Sequence, residues 1–187
     1  GECSVAVAEA LLFDQDKVDV ATDWEDHLDR LGPSSLLWVD FGEPEESALQ
    51  HLVRTVDLDD ACVERLLSTE NRPYLGDFGS YIHATAFAPG GHDQTAHFAR
   101  VDCLVSKHWV VTVHREPVPV FDDFRERAGS GSGHTGKLDG LEFLAVLLEW
   151  VLNAYFQAFD EVKDALGELD TRVMESGLDD AEAELRR

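Results

Sequence analysis

The chain has 187 residues, with 38 Asp plus Glu against 15 Lys plus Arg and a formal charge of -23. Such a surface repels nucleic-acid phosphates and anionic lipid headgroups, so DNA, RNA and membrane-surface binding fall outside the expected roles. The length suits one domain with one main core, and the cysteines, Cys3, Cys62 and Cys103, lack any C-x-x-C spacing, which disfavours a disulfide framework or zinc knuckle and fits a reducing, cytoplasmic setting.

In chain order, residues 4–21, SVAVAEALLF-DQDK-VDVA, alternate small and apolar residues around a polar break and read as a β-hairpin. No signal peptide is expected, because Gly1 opens the chain without a basic n-region or an apolar h-region. TDWEDHLDRLG reads as a short helix with Thr22 as N-cap and Gly32 as its end. LLWVDF, residues 36–41, is apolar on both faces and predicts a strand covered on both sides. EESALQHLVRTV and DDACVERLLS follow as helices, with Leu49, Leu52, Val53 and Val56, then Cys62, Val63, Leu66 and Leu67, at helical spacing. After ENRP the pattern changes to alternation. SYIHATAFAP and AHFARVDCLVS, split by GGHDQT, read as antiparallel strands, WVVTVH as another, and VPVFDDFRERA as a helix. GSGSGHTG, residues 129–136, has the composition of a flexible spacer.

Beyond the spacer lies one long helical pattern. Leu141, Ala145, Leu148, Leu152, Tyr155, Phe159, Val162, Leu166, Leu169 and Val173 alternate steps of four and three, a heptad seam. A helix over 138–173 extends about 54 Å at about 1.5 Å per residue, whereas a compact chain of this size is about 40 Å across. It must overhang its own domain. Phe143, Val146, Leu147, Trp150, Val151 and Phe156 around the seam allow the first half to be buried on several sides. Residues 141–159 are the one candidate membrane span, but Glu142, Glu149, Asn153 and Gln157 offset its apolar gain, so it reads as a buried soluble helix. From Asp160 onward only a narrow apolar stripe remains, which needs another helix, and ESGLDDAEAELRR supplies a break at Ser176 and Gly177 and the start of one. The predicted fold class is α/β of the mixed α+β type. A mixed β-sheet is sandwiched between helices (1–128), followed by a Gly/Ser spacer (129–137) and a long helix that starts a helical coil (138–187).

No phosphate-binding glycine loop, nucleophile elbow or H-E-x-x-H pattern is present. His92, Asp93 and His97 gather around one predicted turn, where solvation accounts for polar residues as well as a metal does. Cys103 and His83 sit on neighbouring predicted strands, where a nucleophilic pair competes with a buried inert thiol. Glu149 interrupts the most apolar part of the long helix, so it must be paired, bound to a cation or protonated, with Arg65 and Arg72 as candidate partners. Asp160, Glu161, Asp164, Glu168 and Asp170 form an acidic run, read either as a solvated face or as a diffuse attractor of hydrated divalent cations.

Four stretches in this order, LLWVDF, VDLDDACVERLLSTENRPYLGDFGSYIHATAF, CLVSKHWVVTVHREPVPVFDDFRER and LLEWVLNAYFQAFDEVKDALGELDTRV, resemble the cytoplasmic domain of the CorA-type magnesium transporter family. The resemblance rests on Arg72-Pro73 after a helix, the VVTVH strand, and Tyr155-Phe156 on a helix running into an acidic coil. It implies a regulatory domain on the cytoplasmic side of the cell membrane. In the whole protein the coil would lead to two transmembrane helices with a Gly-Met-Asn loop, in a homopentamer. It also implies divalent-cation binding, of Mg²⁺ or another cation, at subunit interfaces, with Glu64 and Glu149 at the matching positions and Arg65 where family members carry Asp. That arginine puts a fixed positive charge at the cation's place. The alternative is a soluble acidic scaffold or adaptor whose coil docks a partner helix, and an enzymatic role would need Cys103 or a His-Asp set.

Overall fold

The computed structural model describes residues 9–14, 17–90, 97–130 and 139–176. The strands are β1 (Glu9–Asp14), β2 (Lys17–Val20), β3 (Ser35–Gly42), β4 (Tyr74–Asp77), β5 (Ile82–Gly90), β6 (His97–Val105) and β7 (Trp109–His114). The helices are α1 (Trp24–Leu28), α2 (Glu46–Thr55), α3 (Asp60–Leu67), α4 (Pro119–Gly129) and α5 (Gly140–Ser176). The strands form one sheet in the order β2-β1-β3-β7-β6-β5-β4, parallel only between β3 and β7. The expected hairpin of β1 and β2 forms, with Leu11 opposite Val20. The expected short helix begins at Trp24 after Asp23, not at a Thr22 cap, and no side chain caps it. β4 was not expected: four residues that include Gly76 carry little β signal, and they hold to the sheet edge only by pairing with β5, Tyr74 opposite Thr85. The spacer expected from Gly129 begins later, since Gly129 still belongs to α4 and Ser130 is its C-cap; the rest of the spacer and the segment after Ser176 lie outside the described residues, as do His92 and Asp93.

Because β3 is apolar on both faces, it serves two cores at once. Leu36 and Trp38 point into one with Val101, Phe121, Phe124, Phe143 and Leu147, under α4 and α5. Leu37, Val39 and Phe41 point into the other with Trp24, Leu49, Leu52, Cys62 and Leu66, under α1, α2 and α3. The sandwiched mixed sheet is the fold the sequence predicts.

The start of α5 is tied to the sheet by its local sequence. Asp139 Oδ1 accepts from the amides of Leu141 and Glu142, while Glu142 Oε2 accepts from the Asp139 amide at 3.1 Å, a reciprocal cap. Gly140 donates its amide to the Lys107 carbonyl at 2.9 Å, and any Cβ on it would lie 1.8 Å from the Ser106 carbonyl oxygen, so only glycine lets the helix approach the β6–β7 turn. Phe143 then enters an aromatic cluster with ring centroids 5.1 Å from Phe13, 5.6 Å from Trp38 and 5.7 Å from Phe124. Farther along, Tyr155 donates its hydroxyl to the Phe87 carbonyl at 3.1 Å.

Past Tyr155 the helix leaves the body. Phe159 is 68% exposed and Leu166 60%, so the overhang expected from length alone is present. The packed face differs from the one the heptad pattern marks. Phe143, Leu144, Leu147 and Val151 are buried, whereas the seam residues Leu141, Leu148 and Leu152 are exposed together with Phe156. At about 100° per residue the two stripes lie about a third of a turn apart. The helix is therefore buried on one side only, not on several, although Gly140–Met174 is long and apolar enough by composition to cross a membrane.

A buried polar network fixes α4 against the parallel strand pair. Asp40, near the end of β3, accepts from Thr112 and, at 2.5 Å, from Nη1 of Arg125 on α4, and Thr112 in turn accepts from Trp38 Nε1 at 3.0 Å. Arg125 also meets Asp122 and, at 2.6 Å, Glu9. His114 Nε2 lies 3.3 Å from Asp40, and its Nδ1 donates to the Glu116 carbonyl at 2.6 Å. Burial disfavours the imidazolium, but Asp40 outweighs it and raises the His114 pKa, with Arg125 opposing.

Two outcomes follow for stability. Phe143→Ala should cost about 3 to 5 kcal/mol in urea unfolding, while Phe159→Ala, on the overhanging stripe, should change stability by less than about 0.5 kcal/mol. The raised His114 pKa contributes stability that is complete below the unfolded-state value of about 6.5 and lost as pH rises through the folded value. Unfolding free energy should therefore fall as pH rises from about 6.5 in the parent chain, and that slope should flatten in His114→Gln.

Candidate functional site

Two kinds of feature compete as the functional site: polar residues buried in the sheet, and carboxylates on the surfaces of α3 and α5. On the α3 side, His83 on β5 and Asp102 on β6 share one face of the sheet. Asp102 Oδ1 lies 2.9 Å from His83 Nε2 and accepts from Thr85 Oγ1 at 2.7 Å and Arg100 Nη2 at 3.0 Å. Burial alone would raise the Asp102 pKa, but these hydrogen bonds and the Arg100 charge outweigh it and hold the carboxyl below its ordinary value. With the Nε2 proton directed at the carboxylate, Nδ1 of His83 is left to face the Cys62 sulfur at 3.5 Å.

The cysteine paired with His83 is therefore Cys62, not Cys103. Cys103 stands opposite Ala84 in the β5–β6 register, so it points to the other face, where burial pushes its thiol up to about 12. Cys62 and His83 are fully buried at 0% exposure, and burial raises the Cys62 pKa as well. A neutral thiol sealed from solvent is a poor nucleophile. What this set does visibly is hold α3: Arg100 donates to the carbonyls of Arg65 at 2.9 Å and Ser68 at 2.6 Å at the end of the helix. At the other end the Asp59 amide donates to the Tyr81 hydroxyl at 3.0 Å, and Asp59 Oδ1 accepts from the Ala61 amide at 2.9 Å.

So held, α3 presents Glu64 to solvent. Arg65 beside it is 18% exposed; its Nη1 donates to Glu70 at 2.6 Å, and its guanidinium lies 4.7 Å over the Tyr74 ring. The pairing of Glu149 with Arg65 or Arg72 does not occur. Glu149 is exposed on α5, across the sheet from α3, because the packed stripe of α5 runs through Phe143, Leu147 and Val151 and leaves position 149 outside. The dilemma of a buried carboxylate disappears with the burial. Glu64 and Glu149 are thus on opposite sides of the molecule, and among the described residues no group of three His, Cys, Asp or Glu side chains comes together to hold a metal. The residues of one chain do not build a cation site from this pair. His97 meets Glu116 at 3.2 Å instead of a metal cluster, and the acidic run from Asp160 to Asp170 is exposed along the free part of α5.

Sequence reasoning missed the Cys62–His83–Asp102–Arg100 set and the Asp40–Arg125 set. The signal was available in part: a lone Asp inside each of two apolar strands, LLWVDF and RVDCLV, requires a buried partner. Apart from Arg100, two positions before Asp102, the partners come from residues 17 to 85 positions away, which spacing alone does not reveal.

Residues 33–186 match the family model of the CorA-like Mg²⁺ transporter protein. No curated protein sequence matches the chain. Among solved structures, the full-length CmaX protein is similar with a TM-score of 0.78 at 15% identity over 94% of this chain and 55% of that one, so the chain spans little more than half the length of that relative. The soluble domain of CorA from Methanocaldococcus jannaschii is similar with a TM-score of 0.75 at 12% identity, covering 97% of this chain and 70% of that one. The ZntB cytoplasmic domain from Vibrio parahaemolyticus has a TM-score of 0.69 at 14% identity, over 88% and 65% of the two chains. These likenesses are of fold, and with a family match that runs over residues 33–186, from before β3 to beyond the end of α5, the chain belongs to the CorA-like Mg²⁺ transporter family.

Proposed function

We propose that the chain is the cytoplasmic regulatory domain of a CorA-like transporter of Mg²⁺ or a related divalent cation, and that it couples contacts between subunits to gating of the pore. The observation that carries this reading is the family match over 33–186 on a chain whose last described helix leaves its own body with an uncovered apolar stripe. A helix in that state has no reason to remain helical for so many residues unless other segments or other copies meet it. The cation is cargo for the whole protein; in this domain it acts as a regulatory ligand.

Glu64 and Glu149 are the carboxylates we assign to that ligand. Since they face opposite ways on one chain, a cation held by both would have to be shared between copies in a homopentamer, and cation binding would then strengthen subunit contacts. Arg65 is compatible with such a site because Glu70 and Tyr74 already engage its charge.

Titration with Mg²⁺, Zn²⁺ and Co²⁺ tests the assignment. A ligand at about 100 times its Kd stabilises the state that binds it by about 2.7 kcal/mol, so the melting temperature should rise with cation concentration in the parent chain. The rise should be lost in Glu64→Ala and in Glu149→Ala. A thermal response indifferent to both substitutions would remove the two carboxylates from the role.

A further inference from the structure

The carboxyl ends of the parallel pair β3 and β7 are where the chain divides between the two faces of the sheet. From β3 it turns through Glu43, whose φ of 48° is left-handed, to α2 on one face, and from β7 it passes through Arg115 and Glu116 to α4 on the other. Such a divergence at the carboxyl ends of parallel strands leaves a crevice, and ligands of open α/β sheets bind there. Here the strand ends are fastened together: the Glu43 amide donates to the His114 carbonyl at 2.8 Å, and His114 Nδ1 donates to the Glu116 carbonyl at 2.6 Å. Pro44 and Arg115, just past the two strands, line a groove of about 500 Å³ that extends between α2 and α3.

The groove walls are apolar, with Leu49 and Val53 from α2 and Val63, Leu66 and Leu67 from α3. Two guanidinium groups stand beside them. Arg54 donates Nε to the Gln50 carbonyl at 3.1 Å, which lays its side chain along α2, and neither Arg54 nor Arg115 meets a carboxylate among the described residues. Glu46 is the one carboxylate on the groove, and the Gln50 amide donates to it at 3.3 Å. Apolar walls, a few polar groups and a volume in this range are the form of a small-molecule site. The arginines set the sign of its ligand. The net charge of -23 opposes an anion only at long range, where salt screens it beyond about 8 Å, so contact with the two guanidinium groups decides.

We propose that this groove binds a small amphipathic anion, its aliphatic body against Leu49, Val53, Val63 and Leu67 and its carboxylate or phosphate between Arg54 and Arg115. The planar, permanently charged fork of arginine suits either head group. An uncharged chain would leave both arginines unanswered, a cationic one would be repelled by them, and a head group alone would gain nothing from the walls. No described segment of the chain covers the groove: α5 packs on the opposite face of the sheet and runs on about 30 Å past Tyr155. The site needs neither a cation nor a second copy, so it stands apart from the transport reading.

Calorimetric titration of the 187-residue chain with decanoate, decyl phosphate, decylammonium and acetate, each as monomer in solution, tests it. One decanoate or decyl phosphate should bind per chain, the tighter of the two naming the head group, and decylammonium and acetate should not bind. Arg54→Ala/Arg115→Ala should weaken both long anions about tenfold or more, and Leu67→Glu, which sets a carboxylate in the wall, should abolish their binding. All three residues are exposed, so the unliganded variants should keep the parent melting temperature. The exposed stripe of α5 is the competing place for an aliphatic chain, and Phe159→Ser/Leu166→Ser should bind as the parent does. Binding lost in that control and kept in the arginine variant overturns the proposal, as does equal affinity for decylammonium or no binding of either long anion. Affinity that falls as the chain is concentrated would mean that a second copy takes the groove, and overturns it too.

Discussion

The structure depends on how one helix is seated at its start. Gly140 admits α5 against the Ser106 carbonyl, Asp139 and Glu142 satisfy its first amides, and Phe143 locks into the rings of Phe13, Trp38 and Phe124. Those contacts set both the direction in which the helix leaves the body and the side it turns outward. The described part of α5 from Phe156 onward is held by covalent continuity with that seat, since no other described segment buries it. A rigid helix fixed at one end turns a small change at its base into a large displacement at its tip, a property suited to a domain that transmits the state of one part of an assembly to another.

The sheet beneath is pinned on each face by a buried carboxylate. Asp40 gathers Thr112, His114 and Arg125, and so ties α4 to the parallel pair β3 and β7. Asp102 gathers His83, Thr85 and Arg100, and through Arg100 fixes the end of α3. Replacement of such networks by apolar groups is often harmless to stability, while loss of one partner is costly. Their service here is to position: an apolar interface would let α3 and α4 slide, whereas directed bonds to named carbonyls and carboxylates do not. The triad-like line from Cys62 through His83 to Asp102 belongs to this scaffold, sealed and neutral at its sulfur.

The same rigidity keeps Glu64 and Glu149 apart within one chain. Glu64 and Glu149 stand on opposite layers of a sandwich, and no local motion of α3 or α5 brings them together without dismantling a core. In a chain of charge -23, copies repel unless something offsets that charge.

Much of this was legible before any coordinates. Alternation marked the β1–β2 hairpin and β5 to β7, an all-apolar run marked β3, helical spacing and end signals marked α1 to α5, and the unbroken pattern after residue 138 implied the overhang by length alone. β4 escaped because an edge strand of four residues takes its conformation from its neighbour. The sequence also could not say which of two apolar stripes on α5 would face the sheet. The heptad seam is the more regular, yet Phe143, Leu147 and Val151 are buried, since the cavity left by Phe13, Trp38 and Phe124 accepts an aromatic ring there. That rotation placed Glu149 in solvent and Leu148 and Leu152 beside it. Which side of a helix is inside is a property of the surface it meets, and that surface is assembled from residues far apart in the chain.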